Sequence, residues 1–169
     1  MLPQRIQEAF NRHLNAELYS AYLYLSMSAH FESASLEGMA HWMRIQAQEE
    51  MLHVIKFFDF INQRSGRVIL APVQGPPTAF ASAVEVFEAA RQHEATVSGL
   101  IHELVDLAAR EKDHAAHAFL QWFVTEQVEE EATVEAIVDK LKLAGDNAGV
   151  LFMIDQDLGR RVLPPASPA

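Results

Sequence analysis

The sequence predicts an all-α fold: a four-helix bundle with one long crossover and a short fifth helix. Three observations predict it. All seven prolines fall at Pro3, Pro72, Pro76, Pro77, Pro164, Pro165 and Pro168, so 4–71 and 78–163 run free of the ring that breaks helix interiors. Both stretches are rich in strong helix formers, with 25 alanines in the chain, and the one brief β-like run, Arg67 to Leu70, sits among glycines and prolines. Apolar residues recur at spacings of three and four through both stretches, which is the period of a helix with one buried face.

One break within each stretch gives helices at about 4–33, 37–64, 80–110 and 113–144. Ser33-Ala34-Ser35 followed by Glu37 and Gly38 reads as the end of the first helix and the capped start of the second, and Asp113 as the cap of the fourth. Gly145-Asp146-Asn147 ends the fourth helix, and Ala148 to Leu158 forms an apolar fifth that Gly159 stops. Residues 1–160 make one domain, and 161–169 read as an irregular tail. The loop over 65–79 reaches at most ~50 Å when extended, enough to run the ~42 Å length of a 28-residue helix. The remaining connections are short, so helices 1 and 2 are antiparallel neighbours, as are 3 and 4.

The 169 residues include no cysteine, which excludes disulfides, thiolate zinc sites, iron–sulfur clusters and cysteine nucleophiles. Against 13 Lys and Arg stand 23 Asp and Glu, a net charge of −10 that disfavours nucleic acid and anionic lipid and favours cations. The longest uncharged run within a predicted helix, Leu18 to Phe31, is 14 residues, short of the ~20 apolar residues a membrane span needs. No secretory signal is visible at the amino terminus, so the expected location is the cytoplasm.

The inward stripes carry residues that do not belong in an apolar core. They read Ile6, Phe10, His13, Glu17, Ala21, Tyr24; then Met39, Trp42, Gln46, Glu50, His53, Phe57, Phe60; then Phe87, Ala90, Glu94, Val97, Ile101, Leu104; then Leu120, Phe123, Gln127, Glu130, Val134, Ile137, Leu141. Residues equally far from a shared turn lie level in an antiparallel pair, and this places Glu17, Glu50, His53, Glu94, Gln127 and Glu130 together at mid-bundle. Unpaired carboxylates there repel, each at a desolvation cost of several kcal/mol, and no Lys or Arg lies on the stripes. A hard cation neutralises them, and oxygen ligands with one imidazole suit iron or manganese. Any single stripe acid is accounted for by solvent or a cross-helix partner; a set at one level, with Glu50 and His53 in a Glu-x-x-His pair, is not.

These motifs, with Glu49-Glu50-Met51-Leu52-His53 and Glu126-Gln127-Val128-Glu129-Glu130, resemble the ferritin family over residues 1 to about 160, and within it the bacterial non-haem ferritins. The resemblance implies a ferritin-like bundle in which Glu17, Glu50 and His53 hold iron at site A and Glu50 bridges to site B, completed by Glu94 and Glu130 near Gln127. Glu49, Glu126, Glu129 and Glu130 would hold a third iron at site C, and Tyr24 would donate an electron or a hydrogen bond, where the residue pattern alone allows an ordinary core tyrosine. It further implies ferroxidase activity: Fe(II) oxidised by dioxygen or hydrogen peroxide, and ferric mineral stored in a homo-oligomeric cage of 24 subunits with the fifth helix on the fourfold axes.

Bacterioferritins repeat Glu-x-x-His on the fourth helix, where this chain has Gln127 and Glu130, so weaker retention of the second iron is expected. Met51 matches the bacterioferritin haem ligand, but non-haem relatives carry methionine there and haem is not expected. In animal ferritins carboxylates ten and seven residues before the glutamine line a threefold channel; His117 and Leu120 stand there, so iron is expected to enter beside the site, through the bundle wall. His30, His41, His93, His102, His114 and His117 read as surface or interface residues, and Trp122 as packing. The alternatives are a bacterioferritin-like or other soluble di-iron oxidase or peroxidase without mineral storage, and a helical scaffold with no redox chemistry.

Overall fold

The computed structural model describes residues 1–163; Pro164 to Ala169, within the segment read as an irregular tail, lie outside the described residues. The chain forms α1 (Gln4–Ser33), α2 (Glu37–Gln63), α3 (Ala83–Arg110), α4 (His114–Ala144) and α5 (Ala148–Leu158), with no strand among the described residues. α1 packs along α2 and α3 along α4, and the crossover between α2 and α3 joins the two pairs. No helix among the described residues is long and apolar enough to cross a membrane.

Three helix starts show where local sequence suffices. At α4, Asp113 accepts from the Ala116 N–H at 3.0 Å, as its position predicts. α3 begins at Ala83 rather than near 80, because Ser82 accepts from the Glu85 N–H at 3.2 Å and the Glu85 carboxylate turns back to the Ala81 N–H, a capping box whose return bond falls one residue before the N-cap. α2 departs from expectation. Its N-cap is Leu36 with no side-chain cap, and Ser35 sits in the turn at φ 58°. The free Met39 N–H is met by Asp155 Oδ1 of α5, 2.9 Å away, so this helix end is capped by tertiary contact.

The core divides into two apolar clusters. One, built on Tyr24, Met27, Phe31, Met43, Phe87 and Leu141, joins α5 through Leu158; the other gathers Phe10, Leu14, Phe57, Ile101, Leu120 and Phe123 near the opposite end. Phe57 is central to the second, edge-on to Phe10 with ring centroids 5.1 Å apart and 4.6 Å from Phe123. Between the clusters runs a buried polar layer that includes Glu17, Ser20, Gln46, Glu50, His53, Glu94, Ser98, Gln127 and Glu130. Leu120, which the correspondence with animal ferritins sets at a channel wall, is instead fully buried in the second cluster. It lines nothing, because its side chain points along the apolar stripe of α4.

Asp113 also receives both terminal nitrogens of Arg64, at 3.0 and 2.9 Å, fastening the end of α2 to the start of α4. These hydrogen bonds hold its carboxyl below the usual range, against the opposing effect of burial. Cap and charged pair together make Asp113→Ala cost about 2–3 kcal/mol. A group with a depressed folded pKa contributes fully above its unfolded pKa, near 4, and loses that contribution as pH falls through the folded value. Thermal unfolding of the variant at pH 7 is therefore expected several degrees below the parent, with the gap narrowing below pH ~4; a gap independent of pH would separate the loss from this carboxylate's charge.

Candidate metal centre

The polar layer brings acid and imidazole side chains from all four long helices into one buried volume. Three groups have ligand atoms within 4.8 Å of one another: Glu17, Glu50 and His53; Glu50, Glu94 and Glu130; and His53, Glu126 and Glu130. Glu50 belongs to the first two, the geometry of a carboxylate between two cations. Within the first group, His53 Nδ1 lies 3.3 Å from Glu50 Oε2 and 3.7 Å from Glu17 Oε2.

The electrostatics show how poorly protein atoms alone satisfy this cluster. Burial, with Glu94 and Glu17 nearby, pushes Glu50 up to about 8 against the opposing pull of His53. Glu130 rises well above the ordinary carboxyl range through burial and the charges of Glu50 and Glu94, and burial raises Glu94 too. Glu17 goes the other way: burial opposes its charge, but His13 and His53 outweigh it and hold the carboxyl low. His53 is raised well above its usual value because Glu17 and Glu50 overcome the penalty of burial. Even so, Glu17 Oε2 and Glu130 Oε2 are buried without a hydrogen-bond partner among the described residues. Buried orphan oxygens on paired carboxylates are groups that a cation satisfies.

Neighbours fix the remaining side chains. Tyr24 donates its hydroxyl to Glu94 Oε1, and burial followed by the Glu94 charge raises the phenol well above its ordinary value. Gln127 Nε2 donates to Glu94 Oε2 at 3.2 Å and to Ser98 Oγ at 3.3 Å, which places it beside the second group. Glu49, Glu126, Glu129 and Glu130 line one surface pocket of about 190 Å³ with Trp42, Gln46 and Thr133. They are not equivalent there. Glu126 and Glu130 approach His53, Glu129 is exposed at the rim, and Glu49 is turned to Arg161.

Three participants carried no role in the sequence reading. His13 Nε2 donates to Glu17 Oε1 at 2.6 Å, and Gln46 Nε2 donates to both Glu50 Oε1 and Glu130 Oε1 at 2.8 Å. Both sit one helical turn before a ligand candidate, a spacing that makes them neighbours of Glu17 and Glu50. Arg161, from the segment read as an irregular tail, bonds Gln46 and Glu49 and lies over the Trp42 ring. His93 is more enclosed than a surface residue, 2.7 Å from the Ser20 hydroxyl and edge-on to Tyr24, and burial lowers its pKa.

The chain matches the profile of the Ferritin-like domain over residues 7–144. It is 48% identical over 161 residues to a bacterial non-heme ferritin of Bacteroides fragilis, covering 95% of this chain and all of that protein. A probable bacterial non-heme ferritin-like protein of Haemophilus influenzae is 38% identical, over 94% of this chain and 96% of that one. Among solved structures, the open pore ferritin of the hyperthermophilic archaeon Archaeoglobus fulgidus superposes with a TM-score of 0.95 at 48% identity, covering 96% of this chain and 100% of that chain. With its fold, its buried acid and imidazole layer and these matches in accord, the chain belongs to the ferritin family.

Proposed function

We propose that the protein is a ferroxidase and iron store of the cytoplasm, built as a cage of 24 subunits. The observation that carries this reading is the pair of buried groups sharing Glu50, where carboxylates raised by mutual repulsion and burial await a charge of opposite sign. Two Fe(II) ions bind as substrate, one at Glu17, Glu50 and His53 and the other at Glu50, Glu94 and Glu130. Each gives one electron to dioxygen, which takes up two protons and leaves as hydrogen peroxide. Peroxide serves as a second oxidant for a further pair, and the Fe(III) product moves inward to mineral.

The protein's part is electrostatic. Carboxylates stabilise Fe(III) over Fe(II), because the interaction of anionic oxygens with a cation grows with its charge and is weakly screened where the two apolar clusters exclude water. Tyr24, hydrogen-bonded to Glu94, stands where it can return a proton or an electron to the second group. Gln127 gives that group a neutral amide in place of a carboxylate, consistent with iron in transit. Iron reaches the centre through the surface pocket beside it, whose exposed rim residues Glu129 and Thr133 lead inward to Glu126 and Glu130. The α5 helix, with Phe152 and Met153 largely exposed, is the apolar surface that the fourfold contacts of the cage cover.

Light scattering and aerobic Fe(II) addition test the whole reading together: a mass of about 24 subunits and rapid oxidation with iron retained are expected, and a monomer that oxidises iron without retaining it would replace it with a soluble oxidase.

The pocket separates a third iron from the first two. Glu129→Ala is expected to change the ratio of iron oxidised to oxygen consumed and to alter later turnovers, while the first event keeps its rate within about twofold. A first-turnover loss as deep as that of a Glu50 variant would merge the third site with the pair.

A further inference from the structure

The third-site pocket already holds a cation, and that cation belongs to the chain. Arg161 follows α5 and turns its guanidinium inward, face-on to the Trp42 indole with 4.2 Å to the ring centroid. Its Nη2 donates to Gln46 Oε1 at 2.7 Å and to Glu49 Oε2 at 2.5 Å. The backbone beneath is pinned: the Arg161 carbonyl accepts from His41 Nε2 at 2.8 Å, and its N–H reaches the Leu158 carbonyl at 3.2 Å. The pair is incomplete, since Nη1 of Arg161 and Oε1 of Glu49 are both buried without a partner among the described residues. Across the pocket, His53, Glu126 and Glu130 stand together, and among the described residues Oε2 of Glu130 has no partner either.

We propose that Arg161 is a gate on the third iron site, occupying it as an internal counter-ion that an incoming metal ion must displace. The inference rests on the reading of this pocket as a metal site. With the guanidinium in place, Glu49 is held away from the His53, Glu126 and Glu130 group, and one of the four acids is neutralised. A metal ion taking Glu49 breaks the Arg161–Glu49 bond and swings the side chain off Trp42 toward solvent, with the His41 contact keeping the backbone in place.

The gate also touches the di-iron pair. Arg161 fixes the oxygen of the Gln46 amide, which directs its NH2 group to Glu50 Oε1 and Glu130 Oε1. Releasing Arg161 frees that amide, so filling the third site loosens the hydrogen bonds that order two ligands of the pair. Gating makes the third site weaker than the pair, so it fills last and only when iron is abundant.

The test uses the assembled, iron-free protein carrying Trp122→Phe, so that Trp42 is the sole tryptophan, titrated with Zn(II) by calorimetry and by fluorescence. Three ions per subunit are expected, the weakest of them accompanied by a change in Trp42 emission as the guanidinium departs. Arg161→Gln is expected to tighten that ion about tenfold, leave the two stronger ones within threefold, and abolish the emission change. Arg161→Lys, which keeps the charge without the planar fork, should fall between. Three ions in both proteins with equal third affinities, or weaker third binding in Arg161→Gln, would overturn the gate while leaving the third site standing. Two ions in the parent and three in Arg161→Gln would support the gate, with the guanidinium excluding the third ion altogether. Two ions in both would overturn the third site and the gate with it.

Discussion

Glu50→Ala is expected to abolish the proposed fast Fe(II) oxidation and to leave the proposed shell assembled. Glu50 is the one side chain common to both buried ligand groups, so its loss removes an oxygen from each proposed iron and the bridge between them. Outer-shell partners of metal sites already cost 10–100-fold when removed, and a shared ligand is expected to cost on the order of 100-fold or more in initial rate. Stability moves differently. In the iron-free protein Glu50 is a buried carboxyl pushed up to about 8 by desolvation and by Glu94 and Glu17, so truncating it removes the cost of holding that carboxyl uncharged in the fold. The melting temperature of the iron-free variant is expected at or above the parent's. Stopped-flow oxidation at the parental rate would remove the pair from the proposed site, and a shell that fails to form would show that Glu50 is structural.

His13→Leu offers a contrast on the same cluster. It removes the hydrogen bond that holds Glu17 low without removing a ligand, so a smaller loss is expected, within the range of outer-shell substitutions.

How much was legible in the sequence followed from how local each feature is. The mid-bundle convergence of Glu17, Glu50, His53, Glu94, Gln127 and Glu130 needed only helical rise and short connections, and the folded chain brings these residues into one layer. The Asp113 cap was legible because cap and helix are adjacent, whereas the cap of α2 was not, because Asp155 arrives from 116 residues away. Arg161 was missed for the same reason, lying 112 residues from Glu49 in a segment whose prolines announce irregular backbone and say nothing of side-chain reach. Leu120 was legible from the stripe alone: the sequence sets it beside Phe123 on the apolar face, where it offers a cation no charge, and the folded chain buries it in the second cluster.

Two helical glycines look alike in the sequence and have opposite expected effects. Gly99, on an exposed turn of α3, would meet nothing within 4 Å if given a Cβ, and Gly99→Ala should stabilise by up to ~1 kcal/mol through helix propensity. Gly38, in the first turn of α2, lies against the end of α5. A Cβ there would fall 1.8 Å from the carbonyl oxygen of Asp155 and 2.6 Å from its carbon, and Gly159 faces it so closely that its own Cβ would lie 3.2 Å from the Gly38 Cα. Both obstacles are backbone, so no rotamer change relieves them, and α5 must move away as a body. That movement breaks the Asp155 to Met39 bond, leaves the N-terminus of α2 without its cap, and withdraws Leu158 from the core. Loss of the cap and of a buried leucine together amount to roughly 3–5 kcal/mol. Gly38→Ala is therefore expected to lower the melting temperature by on the order of 10 °C, and, since α5 carries the proposed fourfold contacts, to yield subunits smaller than the full shell by light scattering. A fully assembled Gly38→Ala protein melting with the parent would show that α5 docks loosely and that its contact with α2 does not govern assembly.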